Sequence, residues 1–353
     1  MEPFVYQAQP QRVVFGSGTL AAVGEEVARL GRARALVLST PQQEASAKAL
    51  ARDLGARAAG TFTRAAMHTP TEVTDEALAR VRELKIDSVI ALGGGSTTGL
   101  AKAIAFRTDL PLIVIPTTYA GSEATPILGE TANGKKTTQR SPRVLPAVIV
   151  YDVELTMSLP PALSVTSGLN AIAHAVEARY ARERNPIISL LAMEGIRALA
   201  GALPKIVGDP ADREARSDAL FGAWACGTCL GAVGMALHHQ ICHVLGGTFN
   251  LPHAGTHAVI LPHAVAYNEP AAAALLKPVA DVLQAQSAAQ GIFDLSGRLG
   301  APRTLAEIGM PRDGIATAAD QIVANPYWNP RPVERDGVLR LLEDAFAGRR
   351  PAA

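Results

Sequence analysis

The chain has 353 residues, 48% hydrophobic and 18% charged, enough for two domains with buried cores. Thirty-three basic against 32 acidic side chains leave a net charge of +1, so no overall field favours nucleic acid or an anionic membrane surface. Met1-Glu2-Pro3-Phe4 carries no basic, apolar signal segment, and Gly, His or Pro breaks the apolar runs short of a membrane span, so a cytoplasmic protein without membrane attachment is expected.

Up to about residue 155, short β-branched runs alternate with helical segments. Val14-Phe15-Gly16-Ser17-Gly18 reads as a weak phosphate loop or only a turn. Residues 34–39, 87–92, 110–115 and 147–151 are continuous apolar runs ended by turn residues or Pro, and they predict buried strands. Helical patterns over 19–30, 46–54, 74–84 and 97–106 lie between them. Continuous rather than alternating apolar strands, interleaved with helices, predict an α/β domain with a parallel sheet covered on both faces, spanning 1–155. Lys135, Lys136, Arg140 and Arg143 after Asn133-Gly134 read either as a solvated hairpin or as clamps for an anionic substrate.

From Pro160-Pro161 onward the strand signals fade. Ala/Leu-rich helical stretches follow at 161–181, 186–207, 210–233, 235–247, 256–266, 270–288, 290–300, 302–308, 313–323 and 332–347, predicting an all-α domain over 156–353. The three cysteines cannot close a disulfide framework. Cys226 and Cys229 have CxxC spacing, but they lie in a small-residue apolar helix without a second pair, which favours tight helix packing over redox or metal chemistry.

Gly93-Gly94-Gly95-Ser96 follows a predicted strand and opens a predicted helix, the place where an α/β sheet receives a pyrophosphate. It is not the GxGxxG fingerprint. Thr117, Thr118 and Ser122 leave another predicted strand, and beside the glycine loop they favour a dinucleotide. Asn170 and His174 share one helical face, and His239 and His243 repeat the four-residue spacing, with His253 in a following Gly/Pro-punctuated loop. Three of these positions could hold a divalent ion; the fourth is an amide without charge. Asn325-Pro326-Tyr327-Trp328-Asn329-Pro330-Arg331 is an aromatic and polar loop that could cap a site, with Tyr327 as a hydrogen-bond donor. His238, His257 and His263 have no matched role and read as structural.

Gly93 to Lys102, Pro116-Thr117-Thr118-Tyr119-Ala120-Gly121-Ser122-Glu123, Ser167 to His174 and His239 to His253 together resemble the iron-containing alcohol dehydrogenase superfamily, and within it the maleylacetate reductase branch. The resemblance implies an N-terminal dinucleotide domain, a helical C-terminal domain, a cleft between them and a homodimer. Metal-dependent members carry Asp, His, His and His at the positions of Asn170, His174, His239 and His253, and usually Asp at that of Gly99. The amide here is similar to the reductases that work without a metal, so none is expected. His243 matches a histidine beside the nicotinamide. Thr40 stands where strictly NAD-specific relatives often carry Asp, which leaves NADH and NADPH both open. The cofactor set is then Thr40, Gly94, Gly95, Ser96, Thr117, Thr118, Ser122 and Lys136. The catalytic set is His243, His253, His174, His239, Asn170 and Tyr327. The implied reaction is reduction of the maleylacetate C=C bond to 3-oxoadipate in aromatic-compound degradation, with tolerance of chlorinated substrates left open. The rivals are a metal-dependent alcohol dehydrogenase using His174, His239 and His253 with water, and a non-catalytic dinucleotide sensor.

Overall fold

The computed structural model describes residues 3–132 and 135–352, apart from the side chains of Lys135 and Lys136. Lys136, expected near the cofactor, therefore lies outside the described side chains. Internal contacts divide the chain into two compact units, Ala8–Leu159 and Pro160–Ala353 together with Met1–Gln7.

The first unit holds a parallel sheet of six strands: β1 (Arg12–Gly16), β2 (Ala35–Leu38), β3 (Ala58–Phe62), β4 (Ser88–Gly93), β5 (Leu112–Pro116) and, after a hairpin, β8 (Val148–Asp152). Their order is β1-β8-β5-β4-β2-β3. Alternate residues of the central strands feed two cores. Leu36, Leu38, Val89, Ala91, Leu112 and Val114 meet α3 (Thr71–Glu83) and α4 (Gly95–Thr108) on one face. Ala35, Val37, Ile90, Leu92, Ile113 and Ile115 meet α1 (Val23–Arg29) and α2 (Glu44–Leu54) on the other. Burial on both faces is why these strands read as unbroken apolar runs.

Two strands depart from the sequence reading. β1 replaces the turn expected from residue 14 and β3 was not foreseen; both are edge strands, and β3 is a partly exposed Ala-Ala-Gly-Thr-Phe run. Of the basic run, Lys135, Lys136 and Arg140 lie on an antiparallel hairpin of β6 (Ile127–Ala132) and β7 (Lys135–Arg140), in register from Ile127 opposite Arg140 to Ala132 opposite Lys135, and Arg143 lies in the turn that follows.

The second unit is helical: α5 (Pro161–Tyr180), α6 (Pro186–Gly208), α7 (Arg213–Ala232), α8 (Leu237–Phe249), α9 (His253–Val282), α10 (Ala288–Arg298), α11 (Gly314–Ala324) and α12 (Arg335–Ala347). The two helical stretches expected over 256–288 run together as α9 but are separated by a kink at Ala272, whose φ of −127° is not helical, and residues 302–308 form no helix. Glycines let α5, α6 and α7 approach closely: a Cβ on Gly168 would stand 2.9 Å from Leu203, and one on Gly222 2.8 Å from Leu199. Cys226 and Cys229 are free and buried in this packing. Burial raises both thiols, Cys229 to about 12, so they stay protonated and unreactive.

The expectation that no apolar run reaches a membrane span needs correction. Among the described residues α6, with 23 residues, is long and apolar enough to cross one, as are α7 and α8 taken together as a pair bent by 95°. On α6, Ile188, Ala192, Ile196, Leu199 and Leu203 are buried, which is the pattern of a core helix.

Candidate active site

In the parallel sheet, β2 and β4 are neighbours whose onward connections leave in opposite directions, β2 toward β3 and β4 toward β5. The crevice beyond their carboxyl ends is where such sheets take ligands. Thr40 follows β2 in extended backbone and is half-buried. β4 ends at Gly93, whose φ of 152° favours glycine, and Gly94 caps α4. The carbonyl of Gly94 accepts from the N–H groups of Thr97 and Thr98, both at 3.1 Å. The first N–H groups of α4, from Gly95 and Ser96, have no carbonyl acceptor before them within the helix and would offer an anion the favourable end of its dipole.

The two glycines differ in use. A Cβ on Gly94 would lie 2.9 Å from Thr118, whereas one on Gly95 would meet nothing within 4 Å. Gly94 thus allows the approach of the Thr117-Thr118 loop, and Gly95 leaves open space over the helix start. Thr117 N–H donates to the Gly93 carbonyl (3.2 Å), and Gln43 Nε2 donates to Thr117 Oγ1 (3.0 Å), tying the loops after β2, β4 and β5 together. Ser122 is held by its backbone: Lys102 Nζ donates to the carbonyls of Ser122 (2.6 Å), Thr125 (2.7 Å) and Ile127 (2.9 Å) and to Thr125 Oγ1 (2.9 Å). These four acceptors favour the ammonium, while burial pulls Lys102 down to about 7 against the opposing charge of Glu123. Tyr151 donates to Glu123 Oε1 at 2.8 Å inside the same unit.

In the helical unit, α5 carries Asn170 and His174, α8 carries His239 and His243, and α9 starts at His253. Asn170, His174 and His239 are 3–4% exposed. The rings of His174 and His239 lie 5.1 Å apart. Asn170 Oδ1, His174 Nδ1 and His239 Nε2 are all buried without a hydrogen-bond partner among the described residues. Three unsatisfied polar atoms on neighbouring groups are costly unless something polar binds there.

Glu177, one helical turn after His174, organises this cluster and was missed in the sequence. It is fully buried, accepts from the N–H groups of Ala236 (2.9 Å) and His238 (2.8 Å) at the start of α8, and takes His239 Nδ1 at 2.7 Å. Its carboxylate therefore caps α8 and fixes the His239 ring with Nε2 free. The i,i+3 spacing from His174 was the available signal.

His238 and His257, read as structural, belong to the same cluster. His238 Nε2 and His257 Nδ1 are 2.9 Å apart, and the His257 ring stands 4.4 Å from that of His253 and 5.0 Å from that of His239. With Cys242, the pair forms a buried trio whose donor atoms lie within 4.8 Å of one another. The direct His–His hydrogen bond already uses the lone pair that a cation there would need. Burial, reinforced by the other histidines, holds His174, His238 and His257 well below the ordinary imidazole pKa. His263 lies elsewhere, against Phe293. The half-buried His243 meets the Tyr327 hydroxyl at Nδ1, 3.0 Å away, and burial raises the phenol.

Two family models cover most of the chain: iron-containing alcohol dehydrogenase over residues 10–153, and the C-terminal part of the Fe-containing alcohol dehydrogenase family over 164–346. The maleylacetate reductase of Rhizobium sp. strain MTP-10005 is 57% identical over 99% of this chain and all of its own length. That of Burkholderia cepacia is 55% identical, with both chains fully covered. The crystal structure of maleylacetate reductase from Agrobacterium tumefaciens superposes with a TM-score of 0.96 at 59% identity, covering 99% of this chain and 100% of that one. The chain belongs to the iron-containing alcohol dehydrogenase family of oxidoreductases, on its maleylacetate reductase branch.

Proposed function

We propose that this oxidoreductase is a maleylacetate reductase that uses NADH or NADPH to reduce the enone C=C bond of maleylacetate to 3-oxoadipate, as a homodimer and without a metal. What carries the reading is the activity of relatives that match the chain end to end at 57 and 55% identity. Thr40, Gly94, Gly95, Ser96, Thr117, Thr118 and Ser122 are the proposed cofactor contacts, with Lys136 added from the family resemblance.

Iron, which the family's name carries, would find at Asn170, His174, His239 and His253 a set of neutral donors. Iron in nitrogen and oxygen sites calls for a carboxylate. Glu177, the carboxylate beside these groups, is spent on His239 Nδ1 and on the first turn of α8. The set does not fit the ion.

Bound NADH or NADPH supplies a hydride to the alkene carbon β to the ketone, and negative charge develops on the ketone oxygen. That charge needs hydrogen-bond donors, and the enolate then needs a proton. His239, its ring oriented by the Glu177 carboxylate at Nδ1, turns Nε2 toward the polar lining where that oxygen would lie. Asn170 positions the substrate as a neutral amide, where a carboxylate would repel both the dianion and the enolate. His174 and His253 complete the polar lining. His243, backed by Tyr327, is the proposed proton source.

The test is NADH oxidation on adding maleylacetate, with metal analysis of the same sample. Turnover that survives EDTA, in protein with substoichiometric iron and zinc, supports the reading. One tightly bound metal per chain and loss of activity on chelation would put the metal-dependent alcohol dehydrogenase in its place. Cofactor binding without turnover of either substrate class would leave the non-catalytic sensor.

A further inference from the structure

Residues 325–331 have no regular secondary structure, yet they are pinned from both ends. Gln240, on the first turn of α8 and 3% exposed, donates through Nε2 to the carbonyls of Ile322 (2.6 Å) and Asn325 (2.9 Å). Its Oε1 accepts from the backbone N–H of Tyr327 at 3.1 Å. Asn329 fixes the far end: its Oδ1 accepts from Leu237 N–H (3.4 Å) and Asn268 Nδ2 (2.9 Å), and its Nδ2 donates to Asn268 Oδ1 (2.6 Å) and the Arg331 carbonyl (2.7 Å). Arg331 then donates to the Tyr267 carbonyl (2.9 Å) and lies over the Tyr267 ring.

Between these anchors Tyr327 is 41% exposed, and its hydroxyl is held 3.0 Å from His243 Nδ1. His243 is the residue one turn after Gln240 on α8. One buried amide therefore fixes the Tyr327 backbone to the helix that carries the histidine its side chain meets. Three hydrogen bonds to a fully used amide give this loop a single register, since a slip would leave buried polar groups unpaired.

We propose that Gln240 is a positioning residue for proton transfer: by clamping residues 325–327 to α8 it holds the Tyr327 hydroxyl on His243 Nδ1, so that the neutral ring carries its proton on Nε2 as a donor. A phenol O–H donating to the Nδ1 lone pair leaves Nε2 as the protonated nitrogen. The kinetic part of this inference rests on the reductase reading above; the tautomer part does not.

Two measurements separate them. Two-bond proton–nitrogen NMR of the histidine rings reads the tautomer directly, without any substrate. Wild-type His243 is expected as the Nε2–H form, and Tyr327→Phe and Gln240→Met as mixtures shifted toward Nδ1–H. With maleylacetate and NADH, both variants should lose kcat by roughly tenfold to a hundredfold, the usual scale for a misplaced catalytic contact, with KM little changed. The double variant should lose no more than Tyr327→Phe alone, because both changes remove one interaction. An Nδ1–H tautomer in the wild type, wild-type kcat in folded Gln240→Met, or losses that add in the double variant would overturn the proposal. Should Gln240→Met not fold, hydrogen exchange at the wild-type Tyr327 amide takes its place: protection like that of α8 supports the clamp, and exchange at open-loop rates overturns it. If wild-type protein does not turn over maleylacetate, the reductase reading falls while the tautomer comparison still decides the clamp.

Discussion

Asn170 holds an uncharged oxygen, 3% exposed and without a partner among the described residues, one helical turn before His174, whose ring lies 5.1 Å from that of His239. The charge at this one atom decides what the cluster can hold. Asn170→Asp would put a buried anion among neutral imidazoles with only Glu177 nearby and already committed. In the presence of EDTA that variant should melt below the wild type, because an unpaired buried charge is costly. Zinc should restore its stability and bind more tightly than to wild-type protein, since the change recreates a carboxylate beside histidine nitrogens. Maleylacetate reduction should fall through repulsion of the dianionic substrate. Thermal melts with and without zinc check the first part; equal zinc affinity in both proteins would show that residue 170 does not face a shared point with the histidines.

At the scale of elements, the start of α4 holds one glycine packed against Thr118 and one beside open space. Gly94→Val would strike Thr118 and disturb the loop after β5, so a loss of cofactor affinity there would mix two causes. A Cβ at Gly95 enters open space, so in Gly95→Val the branched side chain should extend over the free N–H groups of the helix without striking the loop after β5. The expected result is a loss of NADH affinity of at least about tenfold, or about 1.4 kcal/mol, with Tm nearly unchanged. Fluorescence titration of NADH gives the comparison, and wild-type affinity in Gly95→Val would move the pyrophosphate away from α4. Glu177 works at the same scale: it links α5 to the first turn of α8 across 61 residues of sequence, which no helical period records.

Over the whole molecule, buried bases set the response to acid. Burial lowers His263 to about 4 and holds His174, His238 and His257 well below their usual value near 6.5. As pH falls through about 6.5 the unfolded chain takes up protons that the folded one refuses, so stability present above that pH is lost on the way down to the folded pKa values. For His263 the loss is about 3 kcal/mol between pH 6.5 and 4. Lys102, lowered to about 7, adds the same sign of dependence at higher pH, between about 10.5 and 7. Urea midpoints should therefore drop steadily from pH 7.5 to pH 5, and a flat midpoint across that window would mean that these histidines ionise in place.

The central strands, the glycine-rich strand–helix junction, most helices and the helical spacings of Asn170 with His174 and of His239 with His243 were legible in the sequence. Strands buried on both faces must be continuously apolar, a phosphate loop needs glycine at a strand–helix junction, and i,i+4 spacing puts side chains on one helix face. Each of these signals is local. The edge strands β1 and β3 escaped because a half-exposed strand has no need of an apolar run. The break read between two helical stretches after residue 266 falls at Ala272, two residues after Pro270, where the backbone of α9 leaves the helical region. His238 and His257 looked like bystanders until packing of α8 against α9 set them 2.9 Å apart. The Glu177 cap and the Gln240 clamp join residues 59 to 87 positions apart. Local chemistry fixes which elements form and which residues can react; which buried group holds which other is settled only when the helices pack, because the cost of an unpaired polar atom is imposed by burial and not by sequence spacing.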